Sequence, residues 1–217
     1  MHKYKGALIA HIGPMFGGKT SGWASDVRKM QIAKYKVAAF KPFKDSRYSE
    51  EYVVTHDGLK VKAINVKTFI DIVRYLENHR DINVVAIDEF QFISTFEKSR
   101  EKEFLDKKIS AIDFLENKFT VNDFIKWIIK SNKTLIISGL DLDSDLEPFD
   151  NVKEFLPFAT HIIKHKAVCV QCGADATTSF CKVHKDTQEL IGGQESYEPR
   201  CLKCFMKEKK NNEQQES

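Results

Sequence analysis

The chain has 217 residues, of which 42% are hydrophobic and 16 are phenylalanine, enough to bury one substantial core with a small unit appended. Its 34 basic and 31 acidic residues leave a net charge of +3, too balanced to mark a nucleic-acid or membrane-surface protein. The first residues lack the apolar stretch and small-residue cleavage site of a secretory leader, and nowhere do about 18 apolar residues run together, so a cytoplasmic protein is expected.

In chain order, the apolar run Ala7 to Ile12 predicts a strand buried on both faces. It leads into Gly13-Pro14-Met15-Phe16-Gly17-Gly18-Lys19-Thr20, a G-x-x-x-x-G-K-T phosphate loop, and a helix is predicted over Ser21 to Met30. Backbone N–H groups of such a loop wrap phosphates at a helix N-terminus, where the dipole also favours negative charge. Lys19 would reach the β- and γ-phosphates, and Thr20 would ligate Mg²⁺. Val37 to Phe40, Val84 to Ile87 and Leu135 to Ile137 are three more short apolar runs, each predicting a central parallel strand. Phe69, Ile72, Val73 and Leu76 recur at helical spacing, as do Phe124, Trp127 and Ile128, so strands and helices alternate.

Asp88 and Glu89 stand at the end of the third strand. A carboxylate there helps to hold Mg²⁺ in phosphate-loop enzymes, a role assigned to Asp88. Glu89, one residue on, could accept the proton of an attacking hydroxyl. Beyond them, Leu105, Ile109, Ile112 and Leu115 predict an amphipathic helix within the charge-rich stretch 96–118. Cys169 and Cys172 form one C-x-x-C pair and Cys201 and Cys204 another, separated by 28 residues, the arrangement that closes a four-thiolate zinc site. Four protein thiolates leave no open position, so this metal should be structural; Cys181 and His184 lie between the pairs as less regular candidates. The intervening loop carries Leu190, Gly192 and Tyr197, where glycine lets backbone approach a small ligand closely. Met206 to Ser217 has almost nothing to bury and reads as a frayed tail.

With these motifs goes a set of linked segments: Lys-Asp-Ser-Arg-Tyr-Ser at 44–49, Thr-His-Asp-Gly-Leu at 55–59, Ile-Asp-Glu-Phe-Gln-Phe at 87–92, Gly-Leu-Asp at 139–141, Glu-Pro-Phe at 147–149, Ala-Val-Cys-Val-Gln-Cys at 167–172, and Ile-Gly-Gly-Gln-Glu-Ser-Tyr-Glu-Pro-Arg-Cys at 191–201. In order and spacing, from about Ile9 to Phe205, the chain resembles the type II thymidine kinases, closest in pattern to the bacterial and phage members. The resemblance implies an α/β fold: a phosphate-loop NTPase-like parallel sheet flanked by helices over residues 1–165, a small C-terminal zinc-binding lasso domain over 166–205, and a flexible tail over 206–217. It implies transfer of the γ-phosphate of ATP, with Mg²⁺, to the 5′-hydroxyl of thymidine or deoxyuridine, in a homotetramer or a dimer.

By the same resemblance Glu89 is the catalytic base, and Asp45, Arg47 and Gln91 join the phosphate loop and Asp88 around ATP. Met15, Phe92, Leu140, Phe149, Ser179, Leu190, Gly192 and Tyr197 would enclose the nucleoside. Three departures accompany it. Phe90 stands where the family has glycine, which predicts a shifted turn; Ser144 and Asp145 stand where the bacterial pattern has phenylalanine and arginine; and the stretch between Phe92 and Thr134 is longer by roughly twenty residues. Ser179 falls where many members carry threonine, with Thr178 beside it. The other classes weighed are a kinase of a related deoxynucleoside, a phosphate-loop ATPase with a structural zinc ribbon, and a zinc-ribbon nucleic-acid module with Lys164, Lys166, Lys182 and Lys185 nearby. The guanine-reading Asn-Lys-x-Asp motif is absent.

Overall fold

Apolar runs without alternation need cover on both faces, and the fold supplies it. The computed structural model describes residues 5–43, 52–55, 57–95, 119–182 and 195–215, with side chains described as far as residue 208. Strands β1 (Leu8–Ile12), β2 (Val37–Pro42), β5 (Ile64–Val66), β6 (Val84–Ile87), β7 (Thr134–Gly139) and β8 (His161–Lys164) form one parallel sheet in the order β5-β2-β6-β7-β1-β8. The four strands predicted from apolar runs are the four at its centre. The two edges escaped that reading because β5 is three residues long with an asparagine between its apolar ones, and β8 is exposed, its two isoleucines flanked by a histidine and a lysine.

Side chains alternate between the two faces along each central strand. Leu8, Ala10, Ile12, Phe40, Ile87, Leu135 and Ile137 pack with helices α2 (Phe69–Asn78), α3 (Val121–Lys130) and α4 (Asp150–Phe155). Ala7, Ile9, Ala39, Ala86 and Ile136 pack with Trp23, Ala24 and Val27 of α1 (Lys19–Ile32), beneath a hairpin of β3 (Tyr52–Val54) and β4 (Lys60–Lys62). Helices α2 and α3 each begin at a threonine that accepts from the third residue's N–H while that residue's aspartate accepts in return, which explains their sharp starts.

After the sheet the chain builds two short antiparallel pairs, β9 (Ala167–Val168) with β10 (Asp175–Ala176) and β11 (Thr178–Cys181) with β12 (Tyr197–Arg200). Helix α5 (Leu202–Gln215) anchors to them through buried Phe205, whose ring meets Phe180 edge-on at 5.6 Å. This differs from the frayed tail expected over Met206 to Ser217. Lys, Glu, Gln and Met propagate a helix well once a first turn is docked, so propensity carries the helix to Gln215 with little left to bury. The predicted helix through Leu105, Ile109, Ile112 and Leu115 lies outside the described residues. Among the described residues no helix is long and apolar enough to cross a membrane.

The aromatic seam of the first face sets a measurable cost. Phe124 is fully buried, 4.9 Å from Phe69 between ring centroids. Phe124→Ala should destabilise the domain by about 3–5 kcal/mol in denaturant unfolding, the usual loss for a large core ring.

Candidate active site

The site is built at the carboxyl ends of β1, β6 and β7, where a parallel sheet opens a crevice for ligands. The loop between β1 and α1 turns through Gly13 at φ 139°, Phe16 at φ 62° and Gly18 at φ 80°. A Cβ at Gly13 would lie 2.4 Å from the His165 carbonyl oxygen, so the close approach of β8's exit to the loop requires glycine there. Gly18 caps α1 with no side-chain hydrogen bond, and the first turn holds no acidic residue. Its N–H groups therefore face an anion without competition from a capping carboxylate or hydroxyl. Lys19 is buried and donates from Nζ to the Pro14 carbonyl at 2.8 Å. Burial lowers its pKa, while the charges of Glu89, Asp88 and Asp141 raise it back.

Asp88 is buried at the end of β6, where Thr20 donates from Oγ1 to its Oδ1 at 3.3 Å. Desolvation, then the neighbouring Glu89 charge, pushes the Asp88 carboxyl up to about 7; a hydrogen bond from Ser138 and the Lys19 charge act against that rise. A hydroxyl and a carboxylate in contact, both from the elements that flank a phosphate site, fit a hard divalent cation such as Mg²⁺.

Glu89 takes the left-handed conformation, φ 51° and ψ 44°, at the start of a 3₁₀ turn over Phe90–Phe92. For a residue with a side chain this costs on the order of 1–3 kcal/mol unless neighbours over-determine it. They do. Phe90 is fully buried, its ring 5.2 Å from Phe69 and 5.6 Å from Phe155. Gln91 donates to Glu89 Oε2 at 2.6 Å and accepts from the Leu140 N–H at 3.1 Å. A Cβ at Gly139 would come within 2.5 Å of that amide oxygen, which is why the residue before Leu140 is glycine. Asn151, from α4, donates to the carbonyls of Phe90, Gln91 and Ile93 at 3.1, 3.4 and 2.7 Å. Phe90 thus anchors the turn in the core, and the left-handed residue is Glu89 and not position 90.

The residues expected around a nucleoside fall into two groups. Phe92 and Phe149 meet edge-on, centroids 5.9 Å apart, with Leu140 packed on the same core. Met15 donates its N–H to the Ser179 hydroxyl at 2.9 Å, tying the phosphate loop to β11, whose Cys181 pairs with Tyr197. Thr178 faces away, donating to the Arg200 carbonyl at 2.8 Å, so the hydroxyl that meets the loop is that of Ser179. Ser144 is buried, and its hydroxyl has no hydrogen-bond partner among the described residues. Asp45, Arg47, Leu190 and Gly192 lie outside the described residues.

The sulfurs of Cys169, Cys172, Cys201 and Cys204 all lie within 4.8 Å of one another. Cys172 and Cys201 are 3.7 Å apart, against about 3.8 Å for the edge of a zinc–thiolate tetrahedron. The Cys204 N–H also points to the Cys201 sulfur at 3.5 Å, so the four-thiolate set fits a structural zinc ion. Cys181 is outside this cluster. Phe16, at the crest of the phosphate loop, packs against the small buried cluster of Ala167, Cys169 and Ala176, against which Cys201 and Cys204 also pack.

A model of the thymidine kinase family matches residues 6–120 and 99–205, which takes in every element just described. The chain belongs to the thymidine kinase family. Family membership makes it a kinase of nucleotide salvage, and a phosphate loop, a strand-end acid and a four-cysteine cluster are the parts its geometry presents for that work. One contributor to this kinase site had no sequence signal: Asn151 is one of several polar residues in a short helix, and it acts through a backbone contact 58 residues away. Asn151→Ala leaves three carbonyls without their shared donor and should cost about 1–3 kcal/mol in unfolding experiments. Turnover should fall with it, because Glu89 would no longer be held.

Proposed function

We propose that this thymidine kinase family member transfers the γ-phosphate of ATP to the 5′-hydroxyl of thymidine or deoxyuridine. The observation that carries the reading is the contact between Thr20 and Asp88, which sets Glu89 one residue beyond a metal-and-phosphate corner. The loop amides from Gly13 to Thr20 would bind the phosphate oxygens, and Lys19 would leave the Pro14 carbonyl for the β- and γ-phosphates. Thr20 and Asp88 would hold Mg²⁺, which when bound offsets charge on the transferred group. Arg47 and Asp45 are assigned beside the phosphates by the family pattern.

Glu89 is the proposed base. Its carboxylate would take the proton of the 5′-hydroxyl as that oxygen bonds to the γ-phosphorus and the bond to the ADP oxygen breaks. Gln91 holds one of its oxygens, leaving the other for the acceptor. Phe92, Phe149, Leu140, Met15 and Tyr197 would enclose the nucleoside, with Ser179 steadying Met15, and backbone near Leu190 and Gly192 would read the pyrimidine edge. The zinc lasso over 166–205 would hold that segment against the phosphate loop, and assembly as a homotetramer or a dimer follows the family pattern.

The test is ADP release with ATP and Mg²⁺, compared across no acceptor, thymidine, deoxyuridine and deoxycytidine, with the monophosphate identified by mass. Turnover that needs no acceptor would make the chain an ATPase. Glu89→Gln should keep ATP binding and lower kcat by at least about a hundredfold. Cys201→Ser should abolish stoichiometric zinc in metal analysis and raise the thymidine KM.

A further inference from the structure

Beside the phosphate loop, where β1, α1 and the exit of β8 meet, two histidines and an aspartate form a chain that the phosphotransfer reading does not use. His11 lies inside β1, with 4% of its surface exposed. Its Nε2 donates to Asp26 Oδ2 of α1 at 3.1 Å, and its Nδ1 meets Nε2 of His165 at 3.0 Å, with the ring centroids 5.2 Å apart. His165 follows β8 and is held by its N–H to the Ile12 carbonyl at 2.7 Å. It lies against the loop. A Cβ at Gly17 would be 3.5 Å from His165 Cβ, and one at Gly13 would overlap its carbonyl.

Gly22 adds an independent constraint. It sits inside α1, where glycine costs about 1 kcal/mol relative to alanine. A Cβ there would lie 2.7 Å from His165 Cε1 and 2.8 Å from His11 Nδ1. The helix gives up a side chain to make room for the histidine pair.

We propose that Asp26, His11 and His165 are positioning residues that buttress the phosphate loop through a shared proton chain and make nucleotide binding pH-dependent. The inference rests on the ATP-binding reading above. With His11 donating to Asp26, its Nδ1 in the neutral pair accepts from His165 Nε2, which leaves His165 Nδ1 without a proton. A further proton there makes His165 cationic, adds a charge beside the loop, and lets the ring donate toward the Gly17 backbone, an interaction that favours the charged form.

The charged groups around the pair set the direction. Asp26 is held down to about 2, first by its hydrogen bond with His11 and also by Lys29, so it is an anion throughout the neutral range. Burial first, and with it the charge of Lys19, lowers the pKa of His165 below its usual value of 6.5. Lys164 and Lys166 flank His165 but pair with Asp141 and Asp175. Phosphates placed beside Lys19 would offset its charge and raise the proton affinity of His165. Binding should therefore take up protons, and affinity should rise as pH falls.

Titration calorimetry with a non-hydrolysable ATP analogue and Mg²⁺, in two buffers of different ionisation enthalpy from about pH 5.5 to about pH 7.5, reads both effects. For the unaltered chain we expect affinity to weaken by about three- to tenfold as pH rises, with proton uptake. His165→Asn places a non-titrating donor near Nδ1 and should flatten the profile to that of the nucleotide phosphates alone, the readout being the shape of the profile and not the absolute affinity. Asp26→Asn removes a negative charge from the outer end and should move the midpoint to lower pH, which a merely structural role would not do. One common profile for all three proteins would overturn the relay and leave the nucleotide reading intact. No binding at any pH would overturn that reading, and the relay's function with it.

Discussion

A carboxylate and an ammonium taken out of water at the end of a parallel sheet govern this structure. Asp88 and Lys19 are each less than a tenth exposed, and neither has the other as a direct ion-pair partner. Leaving such charges buried is expensive, and the fold meets the cost with hydroxyls of Thr20 and Ser138, the Pro14 carbonyl and the opposing charges themselves. These partners are weaker than a phosphate or a divalent cation would be. The corner is thus left with an electrostatic deficit that a polyphosphate and its metal would relieve, which is what supports reading it as the proposed nucleotide site.

Holding that corner open falls to the residues behind Glu89. A side chain at φ 51° survives only if the turn is fixed from several sides. Phe90 fixes it from the core, Gln91 from the β7 exit, and Asn151 from α4. The phenylalanine in place of a glycine is consequently an anchor, and its burial among Phe69 and Phe155 supplies some of the energy that the left-handed glutamate takes up.

Much of this was legible in the sequence, for a physical reason. Central strands covered on both faces must be continuous apolar runs, and a phosphate loop must carry its glycines and lysine in fixed order, so both leave local patterns. The cysteine pairs are legible for the same reason, since metal geometry dictates their spacing. Edge strand β8 left no such pattern because its four residues are exposed. Asn151 and the pairing of His11 with His165 were invisible because each depends on a contact across the fold, the latter spanning 154 residues between neighbouring strands. The left-handed residue left no mark in the sequence, because the surroundings and not a glycine enforce positive φ on Glu89.

The phosphate loop is gripped from two directions by parts that lie far apart in the chain. At its crest, Phe16 is held left-handed and packs on the buried cluster of Ala167, Cys169 and Ala176, while the Met15 N–H is tied to Ser179. At its base, His165 fills the space that Gly13, Gly17 and Gly22 leave. Both grips come from the segment after β8, so the C-terminal unit and the loop are mechanically one piece. A loop of glycines has the conformational freedom to collapse onto itself, and ordering it costs about 1–2 kcal/mol per residue. Fixing it beforehand, from the zinc side by packing and from the histidine side by hydrogen bonds, moves that cost from ligand binding into folding, where the sheet and its two apolar faces can bear it.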